Sequence, residues 1–227
     1  KKSQLQINLV DLKLDMGICG QIVKIGFPFF LVQAATFIFN TVANSLLGTL
    51  GGDMGSLYIA AFGVINGYIL YITMMVAQCF SYGLQPIAAF NAGAKAWARL
   101  KETLSCTLKY QIIVLLVVTA VLWAAATPVC AFFAGSDPAL VVVLAVALGY
   151  LAMTMSIYYQ AVEKVGVATF CGLLRYVICS VPLMYLLGSM MGAQGIWVAL
   201  VAADAITGLV SIALAAKEQK RLSGLMA

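Results

Sequence analysis

The sequence contains no histidine and few charged residues, and both absences restrict what the chain can do. Asp, Glu, Lys and Arg make up 9% of its 227 residues, whereas a soluble globular chain carries about 25%. Without histidine the commonest general base is missing, and no P-loop or paired carboxylate set takes its place. The sequence therefore predicts neither an enzyme nor, by itself, an ATP-driven pump.

The six cysteines do not form a metal-binding or haem-binding pattern. None belongs to a Cys-x-x-Cys pair, and no histidine is present to complete a zinc site. Most of them lie inside apolar runs, which is typical of small, reduced packing residues. No cofactor and no metal is expected. The cysteines are Cys19, Cys79, Cys106, Cys130, Cys171 and Cys179.

Long apolar runs dominate the rest of the chain, which is 63% hydrophobic. A helix of 24 residues rises roughly 36 Å, enough to cross a hydrocarbon core of about 30 Å. The runs predict an all-α, polytopic membrane protein with a lead-in at 1–24 and a tail at 217–227. Its six predicted spans are 25–48, 57–82, 110–133, 139–162, 167–190 and 196–216. No signal peptide precedes them, and the missing initial methionine suggests a piece of a longer polypeptide.

The basic residues predict the topology. With a cytoplasmic amino terminus, twelve of the 13 Lys and Arg residues fall in the inside segments, and the outside loops carry only Asp53 and Asp137. This positive-inside pattern places both termini in the cytoplasm, so we expect a multi-pass protein of the cytoplasmic membrane. Because the basic residues lie at span ends, their expected partners are anionic lipid headgroups and not nucleic acid.

Three local features complete the predicted secondary structure. Residues before Lys24 are expected to be extended, with an interfacial half-turn, and Pro28 is expected in the first turn of the first span. Gln85 and Pro86 are expected to break or bend the second span. Residues 94–108 are predicted to form a separate amphipathic helix at the interface.

Four polar residues in the first span share one helical face. Gln33, Thr36, Asn40 and Asn44 recur at steps of three, four and four residues within an uncharged run. Because lipid cannot satisfy an amide, this face is expected to point at protein or at a water-filled cavity. Interhelical hydrogen bonding without any solute is the alternative interpretation.

Two further stripes extend the candidate cavity. Methionine is flexible and tyrosine is amphipathic, so stripes of both suit a surface that accepts many shapes. Ordinary helix packing is the alternative. The candidate cavity residues are Tyr71, Met75, Gln78 and Tyr82 in the second span, and Met153, Thr154 and Tyr158 in the fourth.

Two opposite charges lie inside the fifth and sixth spans. Arg175 and Asp204 are at similar depths from the cytoplasmic side in spans that a short turn joins. Each isolated charge costs at least ~2.5 kcal/mol at mid-bilayer, so we predict that they contact each other. The pair is interpreted either as a proton- or cation-linked switch or as a fixed structural contact.

Several strings together resemble one transporter family. Residues 77–95 read AQCFSYGLQPIAAFNAGAK, which resembles the Gly-x-Gln-Pro…Asn-x-Gly-Ala pattern of the multidrug and toxic compound extrusion (MATE) family. Ile25-Gly26-Phe27-Pro28 and Gly51-Gly52 look like the opening of that family's second half. The strings that fit its last three helices in order are Tyr159-Gln160-Ala161, Leu174-Arg175, Pro182, Gly195-Ile196-Trp197 and Ala203-Asp204.

The resemblance implies a fold and a function. MATE proteins have twelve helices in two six-helix lobes, which rock around a central cavity and use sodium ions or protons as the driving force. This chain resembles the carboxy-terminal lobe, so its expected partner is an amino-terminal lobe or a second copy. The expected function is half of an antiporter that exports amphipathic, often cationic organic compounds.

The chain departs from the sodium-coupled branch of the family in one respect. That branch carries a glutamate in the first span and an aspartate in the fourth, whereas this chain has Thr36 near the first place and no acid in the fourth span. Coupling is therefore expected in the other lobe, or less readily at Asp204. A lipid or polysaccharide-precursor flippase and a self-sufficient homodimeric channel or transporter are the alternative functions.

Overall fold

The computed structural model describes residues 15–134 and 146–226, and every regular element within those ranges is a helix. This confirms the predicted all-α fold. Five segments in the described ranges are long and apolar enough to cross a membrane. They are Met16–Leu50, Gly52–Gly93, Trp97–Leu122, Val165–Met191 and Ala193–Gly224. Residues 139–145 of the predicted fourth span lie outside the described residues.

The first span is one long helix, α1 (Met16–Leu50). It begins well before the predicted start, because the Asp15 carboxylate accepts hydrogen bonds from the backbone N–H groups of Gly17 and Ile18. The lead-in is thus helical from Met16 instead of extended, and residues 1–14 lie outside the described part of the chain. Pro28 consequently lies in the helix interior and not in the first turn.

The second span contains an irregular segment in its middle. A short 3-10 turn, Gly52–Met54, leads into α2 (Gly55–Val64), a π-helical stretch (Ile65–Leu70) and α3 (Tyr71–Gly93). Of the break or bend predicted at Gln85 and Pro86, the break is wrong, because α3 passes through Pro86 and ends at Gly93. In an apolar environment the remaining backbone hydrogen bonds hold a helix together across one proline.

The third span begins in the segment that was expected to be a separate interfacial helix. Helix α4 (Trp97–Ala134) runs without interruption from this segment into the membrane span. Leu100, Leu104 and Leu108 are buried against other helices. The apolar stripe of residues 97–108 therefore faces protein and not the membrane surface.

The remaining helices complete the lobe. Residues 146–149 are helical, Tyr150 forms a turn, and α5 (Leu151–Ala161) continues the fourth span. The fifth span comprises α6 (Val165–Leu173), a second π-helical stretch (Leu174–Ser180) and α7 (Val181–Met191). The sixth is α8 (Ala193–Gly224), which extends past the predicted span end. Within this last hairpin, a Cβ at Gly195 would collide with the carbonyl of Leu187, so the two helices approach closely.

Two apolar clusters lie toward opposite ends of the helices. One contains Leu100, Tyr158 and Leu222, near the ends of α4, α5 and α8. The other contains Leu47 and Ile196, together with Phe39, Phe62, Met184 and Ala199, toward the opposite ends of α1 and α8.

Candidate functional site

A cavity of about 480 Å³ lies among the first, second, fourth, fifth and sixth spans. Its walls combine amides, hydroxyls, aromatic rings and methionines with one opposed pair of charges. Nine of the residues predicted from the sequence line it. They are Gln33, Thr36, Asn40, Tyr71, Met75, Gln78, Met153, Arg175 and Asp204.

The amides of the α1 wall are held in place by hydrogen bonds. Asn40 Nδ2 donates to the Thr36 carbonyl at 2.9 Å, one turn back in the same helix. Its Oδ1 accepts from Nδ2 of Asn66 in the first π-helical stretch at 2.7 Å. The two spans are thus joined by amides at the cavity wall. Asn44, on the same predicted face, is exposed and lies outside the cavity lining.

Only part of the predicted stripe in the second span lines the cavity. Tyr71, Met75 and Gln78 line the cavity together with Met74, whereas Tyr82 lies beyond the lining and is exposed. The stripe is longer than the cavity, so only its middle portion contributes. This wall supplies the flexible thioethers and one aromatic ring.

The fourth span presents a rotated face. Met153, Ser156 and Gln160 line the cavity. Thr154 is buried against α3, with its Oγ1 2.8 Å from Ser81 Oγ. Tyr158 is buried near the end of α8. Because α5 is buried on almost every side, the spacing of its polar residues alone does not identify the cavity face.

Arg175 and Asp204 are in contact at the cavity wall. Arg175 Nε donates to Asp204 Oδ1 at 2.6 Å, and Nη2 donates to Oδ2 at 3.0 Å. The side chains are only 11% and 8% exposed, respectively. The guanidinium carbon lies 3.9 Å from the centre of the Tyr150 ring. This two-pronged geometry is the strong form of an Arg–carboxylate contact, and it neutralises both charges.

The structure adds lining residues that the sequence analysis did not identify. Asn66 lies in the cavity wall, and Tyr176 and Ser180 line it from the second π-helical stretch. A single amide in an otherwise uncharged run was the available signal for Asn66. Tyr176 and Ser180 are four residues apart, a helical spacing that was the available signal for this pair.

A second polar cluster lies at the end of the lobe where α8 ends. The buried carboxylate of Glu218 accepts from Lys164 Nζ at 2.8 Å and from Arg221 Nη1 at 2.9 Å. Tyr158 Oη donates to the same carboxylate at 3.3 Å. Nearby, Lys101 Nζ donates to Ser223 Oγ at 2.8 Å, which links α4 to α8. Across the described residues, no group of three or more His, Cys, Asp or Glu side chains is arranged to hold a metal ion.

The fold is similar to that of solved transporters. An outward-facing multidrug resistance MATE family transporter of the MOP superfamily matches with a TM-score of 0.80 and 16% identity, over 98% of this chain and 51% of its own. A mutant of the Vibrio cholerae MATE transporter VcmN gives a TM-score of 0.77, 16% identity and coverages of 94% and 50%. A MOP superfamily transporter from Pyrococcus furiosus matches with a TM-score of 0.74 and 18% identity, over 98% of this chain and 51% of its own. No curated protein sequence matches the chain.

These matches show the fold of about half of each transporter. The chain spans about half the length of the solved structures that it matches, in agreement with a single six-helix lobe. The model of the MatE family matches the sequence itself over residues 28–186, well over half of the chain. The chain therefore belongs to the MatE family.

Proposed function

We propose that the chain is the carboxy-terminal lobe of a secondary active exporter. This exporter moves amphipathic, often cationic organic compounds out of the cell in exchange for sodium ions or protons, and it is not an enzyme. The observation that carries the proposal is the cavity of about 480 Å³, which is lined by five spans and has mixed polar and apolar walls. Pockets for drug-sized ligands have about 300–1,000 Å³ and the same mixed character.

The chemistry of the walls suits amphipathic solutes. Met74 and Met75 offer flexible, polarisable surface, and Tyr71 offers an aromatic ring. Aromatic faces attract organic cations, and the amide oxygens add weak polar contacts. Binding to such a surface depends on general shape and charge more than on one fixed set of partners, which fits a transporter of several compounds.

We place ion coupling in the amino-terminal lobe. Among the described residues that line the cavity, Asp204 is the only acid, and Arg175 occupies both of its oxygens. The guanidinium already neutralises this carboxylate, which disfavours the binding of a sodium ion or a proton there. Coupling at Asp204 is therefore the second choice.

We also propose that this lobe has both ends in the cytoplasm, in the cytoplasmic membrane. The contacts of Lys101 with Ser223 and of Lys164 with Glu218 gather three basic segments at one end of the lobe. A shared location for the basic ends is what the positive-inside rule requires.

Two other functions compete with this proposal. A flippase for lipid or polysaccharide precursors would need a basic cavity, whereas the charge of Arg175 is balanced by Asp204. A homodimeric channel or transporter would need two copies of this lobe to function together. A transport assay of the intact gene product in liposomes, with ethidium as the fluorescent cation, separates these functions.

That assay applies sodium and proton gradients separately. Exchange driven by one gradient supports the exporter and identifies the coupling ion. Transport that continues without either gradient contradicts an antiporter and favours a channel. Movement of a fluorescent lipid with no movement of ethidium favours the flippase.

The variant Asn40→Leu tests the cavity wall. It removes both hydrogen bonds of Asn40 and leaves the Asn66 amide without its partner. We expect the rate of ethidium export to fall at least about fivefold at equal expression, because stranding a buried polar group costs about 1–3 kcal/mol and 1.4 kcal/mol is a factor of ten.

The matched control is Asn44→Leu, the same change one turn away and outside the cavity lining. It should retain the wild-type export rate. Equal losses in both variants would mean that the described cavity does not determine transport, and two unaffected variants would mean that the polar face serves packing alone.

A further inference from the structure

Two π-helical stretches lie on different walls of the cavity. The first, Ile65–Leu70, contributes Asn66 and Leu70 to the lining. The second, Leu174–Ser180, contributes Arg175 and Ser180. A π-helical stretch widens the helix and leaves the regular hydrogen-bond pattern, so its carbonyl groups depend more on outside partners.

The two stretches obtain those partners differently. In the second, the Ser180 hydroxyl donates to the carbonyl of Arg175 at 2.6 Å, five residues back in the same span. In the first, the carbonyl of Leu70 accepts a hydrogen bond from the Tyr150 hydroxyl at 2.8 Å, and Tyr150 belongs to the fourth span. The end of the first stretch is thus fixed by a different helix.

Tyr150 also contacts the second stretch. Its ring lies under the Arg175 guanidinium, with 3.9 Å between the ring centre and Cζ. The preceding residue is equally fitted to the ion pair, since a Cβ at Gly149 would lie 2.7 Å from Asp204 Oδ1. A continuous series of contacts therefore runs from Asp204 through Arg175 and Tyr150 to the Leu70 carbonyl.

We propose that Tyr150 is a positioning residue that joins the two cavity walls. Its ring orients Arg175 toward Asp204, and its hydroxyl fixes the end of the first π-helical stretch. A change in the shape of one wall is then passed to the other through a single buried side chain. The inference rests on the proposed function for its consequences in transport, and on the contacts alone for its structural consequences.

Two variants separate the two contacts. Tyr150→Phe keeps the ring under Arg175 and removes the hydrogen bond to Leu70, whereas Tyr150→Leu removes both. Hydrogen exchange of the intact protein in nanodiscs, read by mass spectrometry, reports on each stretch. Tyr150→Phe should speed exchange in residues 65–75 about two- to tenfold, as expected for the loss of one hydrogen bond, and leave residues 174–180 unchanged.

Tyr150→Leu should speed exchange in both stretches. The control is Tyr159→Phe, which removes another buried tyrosine hydroxyl that donates to a backbone carbonyl, that of Leu214, away from the cavity. It should leave both stretches unchanged. Unaltered exchange at 65–75 in Tyr150→Phe, or the same acceleration in all three variants, would overturn the proposal.

Ethidium export gives a second readout. Tyr150→Phe should lower kcat with little change in KM, because the walls lose their connection while the binding surface remains. Tyr150→Leu should also raise KM, because Arg175 lines the cavity and loses its support. If Tyr150 served only packing, the export rate of each variant would fall in proportion to the amount of folded protein, with KM unchanged. If the wild type does not export ethidium, the proposed function fails, while the exchange results still decide the role of Tyr150.

Discussion

The two ion-pair clusters found among residues 15–134 and 146–226 have similar nitrogen–oxygen distances but different surroundings. Arg175 and Asp204 are both nearly buried at the cavity wall. At the end of α8, the Glu218 side chain is 5% exposed, whereas its partners Lys164 and Arg221 are 31% and 41% exposed. In one cluster both partners are therefore largely buried, and in the other only the carboxylate is.

This difference in burial determines how much stability is lost when one partner of each cluster is removed. In the Arg175–Asp204 pair both side chains are largely buried, so the loss of either partner leaves a charge with little access to water. In the cluster at the end of α8, the cations keep access to water and lose less when the acid is removed. The first contact fixes the shape of the cavity wall, and the second holds three helix ends together.

The largest effect is expected from Asp204→Asn in the intact protein. The change keeps the shape of the side chain but leaves the Arg175 charge buried without a counter-ion, which costs about 3–5 kcal/mol. The melting temperature in detergent should fall clearly. The double variant Arg175→Met with Asp204→Leu should recover most of that loss, because it removes both buried charges. A stable Asp204→Asn variant would show that the pair is well hydrated.

A smaller effect is expected from Glu218→Gln. Two partly exposed cations lose their partner but can turn toward water, so the expected cost is about 1–2 kcal/mol. Thermal unfolding compared with Asp204→Asn measures the difference directly. Glu102→Gln, at an exposed acid of α4, is the control and should unfold like the wild type. If Glu218→Gln costs more than Asp204→Asn, the ranking of the two clusters is wrong.

The smallest effect is expected from Lys164→Met and Arg221→Met. Each removes one partly exposed cation and should cost less than about 1 kcal/mol, with Lys164→Met the larger because that side chain is more buried. Salt sharpens the test, because screening weakens exposed pairs more than buried ones. The losses in these two variants should shrink at high ionic strength, whereas that of Asp204→Asn should not. Equal salt sensitivity in both clusters would contradict the comparison.

The predicted pairing of Arg175 and Asp204 shows which kind of inference a membrane sequence supports. Two opposite charges at similar depth in spans joined by a short turn have few other partners. The free-energy cost of burying either charge unpaired in the membrane therefore favours their contact. The apolar runs predicted the spans for a similar reason. They did not predict where helices end, because α1 and α8 continue beyond the apolar part, where a capping Asp15 and polar contacts such as that of Gln219 with Ser105 support them.

The candidate cavity was predicted best where one face of a helix differs clearly from the others, as in α1 and in the stripe of α3. The face of α1 led to Gln33, Thr36 and Asn40, whereas Thr154 and Tyr158 of the densely packed α5 point to other helices. Pro86 gave a misleading signal, since a rule from soluble helices predicts a break that the surrounding spans prevent. The irregular backbone lies instead at Ile65–Leu70, where the sequence contains no proline.

The hydrogen bonds of Asn40 have a consequence for how cargo could leave. One N–H of its Nδ2 already donates to the Thr36 carbonyl and its Oδ1 already accepts from Asn66, both within the protein. When the pocket is empty, this amide therefore keeps its hydrogen bonds within the protein, and the release of a solute does not break them. A wall of this kind discriminates weakly between solutes and holds each of them weakly. Both properties suit a protein that must release many chemically different compounds.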